Sequence, residues 1–246
     1  MITLYQPQPM FGLPSSSPFC LKLEAFLRWQ SIKFVNKHAL PFEGPYKKIP
    51  FVDYQGQRLG DSSLIIDQLL TDLNISYDKH LNLSVGHSFA KLMEEQMYWV
   101  MVYFRWMDQE TWPILKKAFF GSVPKLIKPI IIHTARKQAK SALYGLGIGR
   151  LPVDSILSKA KIDLNALENQ LKQSTFICGD IMTHYDLSIW AVLSQFMQSN
   201  FHIKLSDLTL DRPVLKDYIK RVNQQLAPYW QNSECTQIFN SKHETT

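Results

Sequence analysis

Residues 15–20 read Ser-Ser-Ser-Pro-Phe-Cys and place hydroxyls and a thiol at the start of a predicted helix. The first backbone N–H groups of a helix have no internal acceptor, and the helix dipole adds about half a positive charge at this end. A thiolate or carboxylate that docks there is stabilised. Ser17 is therefore either a helix cap or a residue that faces an anionic partner, and Pro18 suits the first helical position.

The elements that would position this helix start alternate between short apolar runs and turns. A strand at residues 2–5 precedes an amphipathic helix at 21–29, and another strand follows at 32–35. The dipeptide Gln55-Gly56 separates two further runs and predicts a β-hairpin. A helix then begins at Asp61-Ser62-Ser63. This order predicts a small mixed sheet with helices packed on it.

Beyond residue 77, apolar residues recur at helical spacing over residues 85–119, 156–171, 185–196 and 213–226. We predict an α/β domain at residues 1–76 and an all-helical domain at residues 84–240. The glycine-rich segment 145–149 has neither the preceding strand nor the Lys-Ser/Thr pair of a phosphate-binding loop. We therefore predict that it ends a helix.

The charge and cysteine content exclude several classes of protein. The formal net charge of the 246 residues is +6, but the basic residues are scattered, with the densest parts at 47–48 and 116–140. Because no basic stripe with interleaved aromatic residues is present, we expect no nucleic-acid partner. Attraction to anionic small molecules or membrane surfaces fits the charge equally well.

Three widely spaced cysteines, Cys20, Cys178 and Cys235, indicate a reducing compartment, and we expect a cytoplasmic location. Neither they nor the seven histidines have metal-ligand spacing, so no metal is expected. We also expect no transmembrane segment, because no apolar run reaches about 20 residues. Residues 125–133 come nearest, but Pro129 breaks the run, and we predict a buried helix segment there.

The two-part layout and the motif Ser17-Pro18-Phe19-Cys20 resemble the glutathione S-transferases. The resemblance implies a thioredoxin-like N-terminal domain that binds glutathione as co-substrate at the start of the first helix. It assigns Ser17 as the catalytic residue that lowers the pKa of the glutathione thiol. Tyr5 and Cys20 are the alternative activators. We expect Tyr5 to border the substrate pocket or to pack, and Cys20 to point inward.

A second motif, Lys48-Ile49-Pro50 followed by Asp61-Ser62, resembles the family's Val-Pro before the third strand and its acidic-Ser start of the next helix. The resemblance implies a cis Pro50 and an outward-facing Ile49 backbone that pairs with the cysteinyl part of glutathione. It also implies that Asp61 and Ser62 hold the γ-glutamyl end, and Lys48 belongs to the same binding set.

A third motif, residues 179–186, resembles the family's Gly-x-x-x-Ser/Thr-x-x-Asp signature. It implies that Thr183 and Asp186 form a capping box on a buried helix. Within the superfamily, the motifs look closest to the branch of failed-axon-connections proteins and metaxins. Tyr103 and Trp106 lie in an unusually aromatic helix that would border the electrophile pocket.

We therefore expect a detoxifying transferase that conjugates glutathione to an apolar electrophile. The resemblance also implies a homodimer. The alternative is a non-catalytic, metaxin-like interaction protein that keeps the fold and uses the aromatic stripe as a partner surface.

Overall fold

A four-stranded mixed sheet forms the first part of the chain. The computed structural model describes residues 1–230. The elements of this part are β1 (Ile2–Gln6), α1 (Pro18–Trp29), β2 (Phe34–His38), β3 (Phe51–Tyr54), β4 (Gln57–Gly60) and α2 (Ser62–Asp72). The strand order is β2-β1-β3-β4, with β1 parallel to β2 and antiparallel to β3. The predicted strands, hairpin and helices of this part are present, but β2 begins and ends later than the predicted strand at residues 32–35.

The register of the sheet brings distant residues together. Tyr5 pairs with Phe51, and Phe51 pairs with Gly60 in the hairpin. Residues 50 and 61 therefore lie side by side, one position beyond the last pair. Because side chains alternate along a strand, Ile2 and Leu4 enter the core while Tyr5 faces the other side of the sheet.

The second part is built from helices, joined by loops that include an isolated β-bridge between Phe176 and Gly179. Its helices are α3 (Leu83–Lys91), a π-helical turn (Leu92–Met97), α4 (Tyr98–Trp106), α5 (Trp112–Phe120), α6 (Lys128–Gly145), α7 (Val153–Leu171), α8 (His184–Met197), α9 (Lys204–Asp207) and α10 (Pro213–Leu226). The buried helix α8 packs against α1, α3 and α10. The domain limits 1–76 and 84–240 remain predictions, and residues 231–240 lie outside the described part.

The predicted helix over residues 85–119 is interrupted. The backbone leaves the helix after Trp106 and resumes at Trp112, with Pro113 in its first turn. Proline cannot donate to the carbonyl four residues earlier and its ring clashes with that group, so the helix cannot run through this point. The Thr111 hydroxyl instead donates to the carbonyl of Phe104.

The prediction of a buried segment at residues 125–133 is wrong. The side chain of Leu126 is 93% exposed and that of Ile130 is 68% exposed. No helix within residues 1–230 is long and apolar enough to cross a membrane. The glycine-rich turn is as predicted, since α6 ends at Gly145 and Gly147 has a φ of +86°.

The capping box at the start of α8 is confirmed. The Thr183 N–H donates to Oδ2 of Asp186 at 2.8 Å, and the Thr183 hydroxyl donates to the same oxygen at 3.0 Å. The other carboxylate oxygen accepts the Ile177 N–H at 2.8 Å and the Tyr218 hydroxyl at 2.9 Å. Four donors thus compensate this fully buried carboxylate, which fixes the helix to the loop before it and to α10.

Candidate functional site

Ser17 caps α1 at the end of a long loop. Its hydroxyl oxygen accepts the N–H of Cys20 at 3.4 Å, and its own N–H donates to the Ser15 hydroxyl at 3.2 Å. Pro18 occupies the first helical position. The Ser17 side chain is partly exposed, so a ligand can reach it. Among the described residues, the helix start therefore presents the Ser17 hydroxyl and the unbonded N–H of Phe19, together with the positive end of the helix dipole.

Two side chains from the helical part hold the carbonyls just before Ser17. Arg105 of α4 donates to the carbonyl of Ser16 at 3.0 Å, and Gln195 of α8 donates to that of Ser15 at 3.1 Å. Arg105 also donates to Oε1 of Gln195 at 3.0 Å, which joins the two. Burial lowers the pKa of Arg105 to about 10. This pair fixes the backbone from which the Ser17 hydroxyl projects.

The peptide bond between Ile49 and Pro50 is cis, as predicted. Pro50 is buried, Ile49 is partly exposed and Lys48 is exposed. Within residues 1–230 the Ile49 backbone has no hydrogen-bond partner. The Ile49 backbone is therefore open to pairing with a peptide-like ligand.

Asp61 has a backbone conformation that is rare for a residue with a side chain, φ +68° and ψ +118°. One of its carboxylate oxygens caps α2 by accepting the N–H groups of Ser63 at 2.9 Å and Leu64 at 3.2 Å. Strained backbone of this kind persists where surrounding structure enforces it, and it clusters at ligand sites. The neighbouring Ser62 is buried, and its hydroxyl has no hydrogen-bond partner among the described residues.

A buried ion pair joins α1 to the helical part, and a hydrogen bond from the same lysine reaches the start of α2. Lys22 of α1 lies 2.6 Å from a carboxylate oxygen of Glu94 and donates to the Ser63 hydroxyl of α2 at 2.9 Å. Glu94 belongs to the π-helical turn. Sequence reasoning missed this cluster, because a lysine and a glutamate 72 positions apart carry no pairing signal. The apolar residues on both sides of Lys22 hint at its burial, whereas Glu94 is followed by the acidic Glu95.

Tyr5 is engaged away from Ser17. Its hydroxyl donates to Asp53 at 2.8 Å, and this hydrogen bond is the largest cause of a raised Tyr5 pKa. Its ring stacks on Phe51 at 4.5 Å and lies under the guanidinium of Arg58. The structure does not bring Tyr5 to the start of α1, since it points to the opposite side of the sheet from Leu4.

The aromatic helix α4 presents Tyr98 to the start of α1. Its ring contacts Phe19 edge-on at 4.9 Å. Burial raises the Tyr98 pKa, and the charge of Arg105 partly offsets this. Tyr98 and Arg105 are seven residues apart and share one helix face. Tyr103 lies on another face of α4. The spacing of the aromatic residues alone could not show which of these faces meets α1.

Trp106 packs in an aromatic cluster with Trp112, Phe119 and Phe120. Phe119 in turn contacts Phe11 of the loop before α1, at 6.2 Å between ring centres. Trp106 is therefore linked to the loop that leads to Ser17 through Phe119, and in the described part it has no direct contact with Ser17.

Cys20 is fully buried, as expected. Burial raises its pKa to about 12, and the nearby hydroxyls of Ser17 and Ser15 lower it only in part. The thiol therefore stays protonated near neutral pH and is a poor nucleophile.

A polar groove of about 280 Å³ lies elsewhere, at the end of β1, and is lined by Gln6, Glu24, Arg28, Asn36, Lys37, His38 and neighbouring prolines among others. None of the predicted site residues lines it. We place the candidate site at Ser17 and not at this groove. The groove has neither the start of a helix nor an unpaired backbone segment that could bind a thiol-containing ligand. Within residues 1–230, no group of three or more acidic, histidine or cysteine side chains could hold a metal ion.

Two family models match this chain. The glutathione S-transferase N-terminal domain matches residues 18–111, and the glutathione S-transferase C-terminal domain matches residues 160–222. The chain is 27% identical to the isoprene-epoxide–glutathione S-transferase of Rhodococcus sp. (strain AD45), across 92% of this chain and 99% of that protein.

A second relative is Failed axon connections of Drosophila melanogaster, at 28% identity over 99% of this chain. The chain spans 62% of that protein's length. Among solved structures, the β-etherase LigF from Sphingobium sp. strain SYK-6 superposes with a TM-score of 0.62 at 13% identity, covering 94% of this chain and 99% of that one. This likeness shows a shared fold.

Proposed function

Because this chain belongs to the glutathione S-transferase superfamily, we propose that it binds glutathione and activates the thiol with Ser17 and the start of α1. One observation carries the proposal. The Phe51–Gly60 pair sets Pro50 beside Asp61, and Lys22 ties α1 to Ser63 of α2. This connection between the helix that follows Ser17, the segment at Pro50 and the start of α2 supports the proposal.

Each motif has a role in this proposal. The Ile49 backbone pairs with the cysteinyl residue of glutathione, and Lys48 flanks it. The free carboxylate oxygen of Asp61 meets the γ-glutamyl ammonium group, while Ser62 and the start of α2 meet its carboxylate. The sulfur then lies at the start of α1, where the Ser17 hydroxyl donates to it.

Positive potential at the helix start favours the thiolate over the thiol, so the glutathione pKa falls toward neutrality. The thiolate sulfur forms a bond to an electrophilic carbon. With an epoxide, a carbon–oxygen bond breaks and the ring oxygen takes a proton from water. The chain contributes positioning and electrostatics, and glutathione contributes the nucleophile.

The acceptor is proposed to be a small apolar electrophile. Tyr98 and Phe19 supply an apolar wall next to Ser17, and Trp106 is linked to the adjoining loop through its aromatic cluster. Tyr103 remains a proposed lining residue further along α4. Since a relative at 27% identity is named for an isoprene epoxide, small apolar epoxides are the first acceptors to test. A homodimer is part of the same proposal.

Calorimetric titration with glutathione tests the binding step. The wild type should bind at millimolar concentration or below, and Ser62→Ala should weaken binding at least tenfold, about 1.4 kcal/mol. Ser84→Ala is the matched control, because Ser84 is an exposed serine in the first turn of α3. No binding by the wild type at millimolar glutathione would overturn the proposal and leave the non-catalytic interaction protein.

The Ser17→Ala variant tests the activation step. Its affinity for glutathione should stay within about twofold of the wild type, while the pKa of the bound thiol, followed by thiolate absorbance against pH, should rise. An unchanged pKa would remove Ser17 from the mechanism and assign activation to the backbone of α1 alone.

A further inference from the structure

Four aliphatic side chains at the start of α6 are exposed in the described part of the chain. We call Leu126, Ile127, Ile130 and Ile131 the aliphatic tip, with exposed fractions of 93%, 48%, 68% and 38%. Leu126 and Ile127 lie in the turn directly before α6, and Ile130 and Ile131 lie in its first turn, where the Ile131 N–H donates to the Ile127 carbonyl. Four exposed aliphatic side chains therefore fall within six consecutive residues at one end of α6.

The tip lies within a segment of one charge sign. From residue 111 to residue 153 the sequence has eight Lys and Arg residues and no Asp or Glu. In the described part, none of the six lysines from Lys116 to Lys140 has an ion-pair partner. Lys117 and Lys125 are exposed, and Lys125 is next to the tip in sequence.

We infer that the aliphatic tip and its surrounding lysines dock on an anionic lipid membrane surface. Interfacial binding requires apolar side chains that enter the boundary between headgroups and acyl chains, with basic side chains beside them that meet anionic headgroups. The exposed tip supplies the apolar side chains, and the exposed Lys125, directly before it in the sequence, supplies a basic one. The surface would lie on the bilayer and not cross it, since α6 has 18 residues and a polar second half.

Charge argues against a second copy of this chain as the occupant, and side-chain type argues against a single-stranded nucleic acid. In a two-fold dimer built on this face, identical basic segments would meet each other and repel. A nucleic-acid site would be expected to carry aromatic residues for base stacking, whereas the exposed apolar residues of the tip are aliphatic. The inference does not depend on glutathione binding.

Sedimentation with large unilamellar vesicles tests it. The full chain should sediment with vesicles that contain 30% phosphatidylserine in phosphatidylcholine, and much less with phosphatidylcholine alone. Raising the salt concentration should weaken the binding. Lys117→Glu with Lys125→Glu should lower the partition coefficient at least fivefold, because basic residues near such a surface are attracted to the anionic headgroups and acidic residues are repelled.

The apolar part is tested by Leu126→Ser with Ile130→Ser, which should also lower binding at least fivefold. Matched controls on α7 are Ile162→Ser, whose side chain is 66% exposed, and Lys161→Glu, which should both bind as the wild type does. Equal sedimentation with both vesicle types, or no effect of the tip variants, would overturn the inference. So would a dimer in analytical ultracentrifugation that the tip variants dissociate without change in vesicle binding.

Discussion

Lys22 and Glu94 form a 2.6 Å ion pair with both side chains more than nine-tenths buried. The pair links α1 to the π-helical turn, and the bond from Lys22 to Ser63 extends it to α2. Two charges are removed from water here, so each depends on the other for compensation. The pair thus couples the proposed glutathione-binding segments to the helical part.

Removing one partner of this pair should be costly. We expect Glu94→Gln to lower the free energy of unfolding by about 3–5 kcal/mol, because Lys22 is left buried without a counter-charge. Urea unfolding measures this. Glu95→Gln is the control, since its partner Lys91 lies 3.7 Å away on the exposed face of the same helix and should contribute less than about 1 kcal/mol. Equal effects of the two variants would contradict the assigned role.

Arg105 is expected to act as a positioning residue. Arg105→Met removes the donor to the Ser16 carbonyl and to Gln195, so the Ser17 hydroxyl loses its fixed position. We expect kcat to fall between about tenfold and 100-fold with a smaller change in KM, together with a raised pKa of bound glutathione.

The control for Arg105 is Arg136→Met. Arg136 also donates to a backbone carbonyl, that of Trp106, but not to the loop before α1. If Arg105→Met only lowers the melting temperature and leaves the thiol pKa unchanged, its role is structural and not positioning.

His184 should make stability depend on pH. Its pKa falls from 6.5 to about 4, first because of burial and then because of the charges of Lys22 and His87. The folded state therefore prefers the neutral ring, and the unfolded state binds more protons between these values. The contribution is fully present above pH 6.5 and is lost as pH falls to about 4, a change of about 3 kcal/mol.

The His184→Gln variant checks this sign. Its unfolding free energy should decrease less than that of the wild type between pH 6.5 and pH 4. The exposed His133 offers the control, and His133→Gln should keep the pH dependence of the wild type. A steeper loss in the His184 variant would contradict the expectation.

Cys20 and Ser17 can be separated by substitution. Since burial raises the Cys20 pKa to about 12, Cys20→Ala should keep the proposed conjugation within about threefold, whereas Ser17→Ala should lower kcat/KM more than tenfold. Steady-state kinetics with an epoxide acceptor distinguishes them. Loss of activity in Cys20→Ala without loss of stability would restore the cysteine as a catalytic candidate.

Much of the local structure could be predicted from the sequence, because its signals are local. The cap at Ser17, the turn at Gln55-Gly56 and the Thr183/Asp186 box each follow from a few adjacent residues. The features that could not be predicted depend on the rotation of each helix about its own axis and on packing between residues far apart in the sequence. Which face of α4 meets α1 is set by tertiary contacts, so Tyr98 could not be distinguished from Tyr103.

The exposed segment at residues 125–133 illustrates the same limit. A short apolar run in a helix predicts burial, but no local sequence signal shows whether another element covers that run. The break before Trp112 was predictable from Pro113 alone, since proline in a helix interior removes a hydrogen bond. The strained backbone of Asp61 carries no sequence signal, because glycine and not aspartate is the usual residue there.

The π-helical turn at Leu92–Met97 sets the angular phase of everything after it. The Tyr98 N–H bonds to the carbonyl of Met93, five residues back instead of four. Each residue of an α-helix advances by about 100°, so one extra residue in this turn displaces the later side chains by that angle. Deleting a single residue here would swing Tyr98 and Arg105 away from α1 and turn a neighbouring face toward it. The number of residues in this turn therefore determines which face of α4 forms the apolar wall next to Ser17.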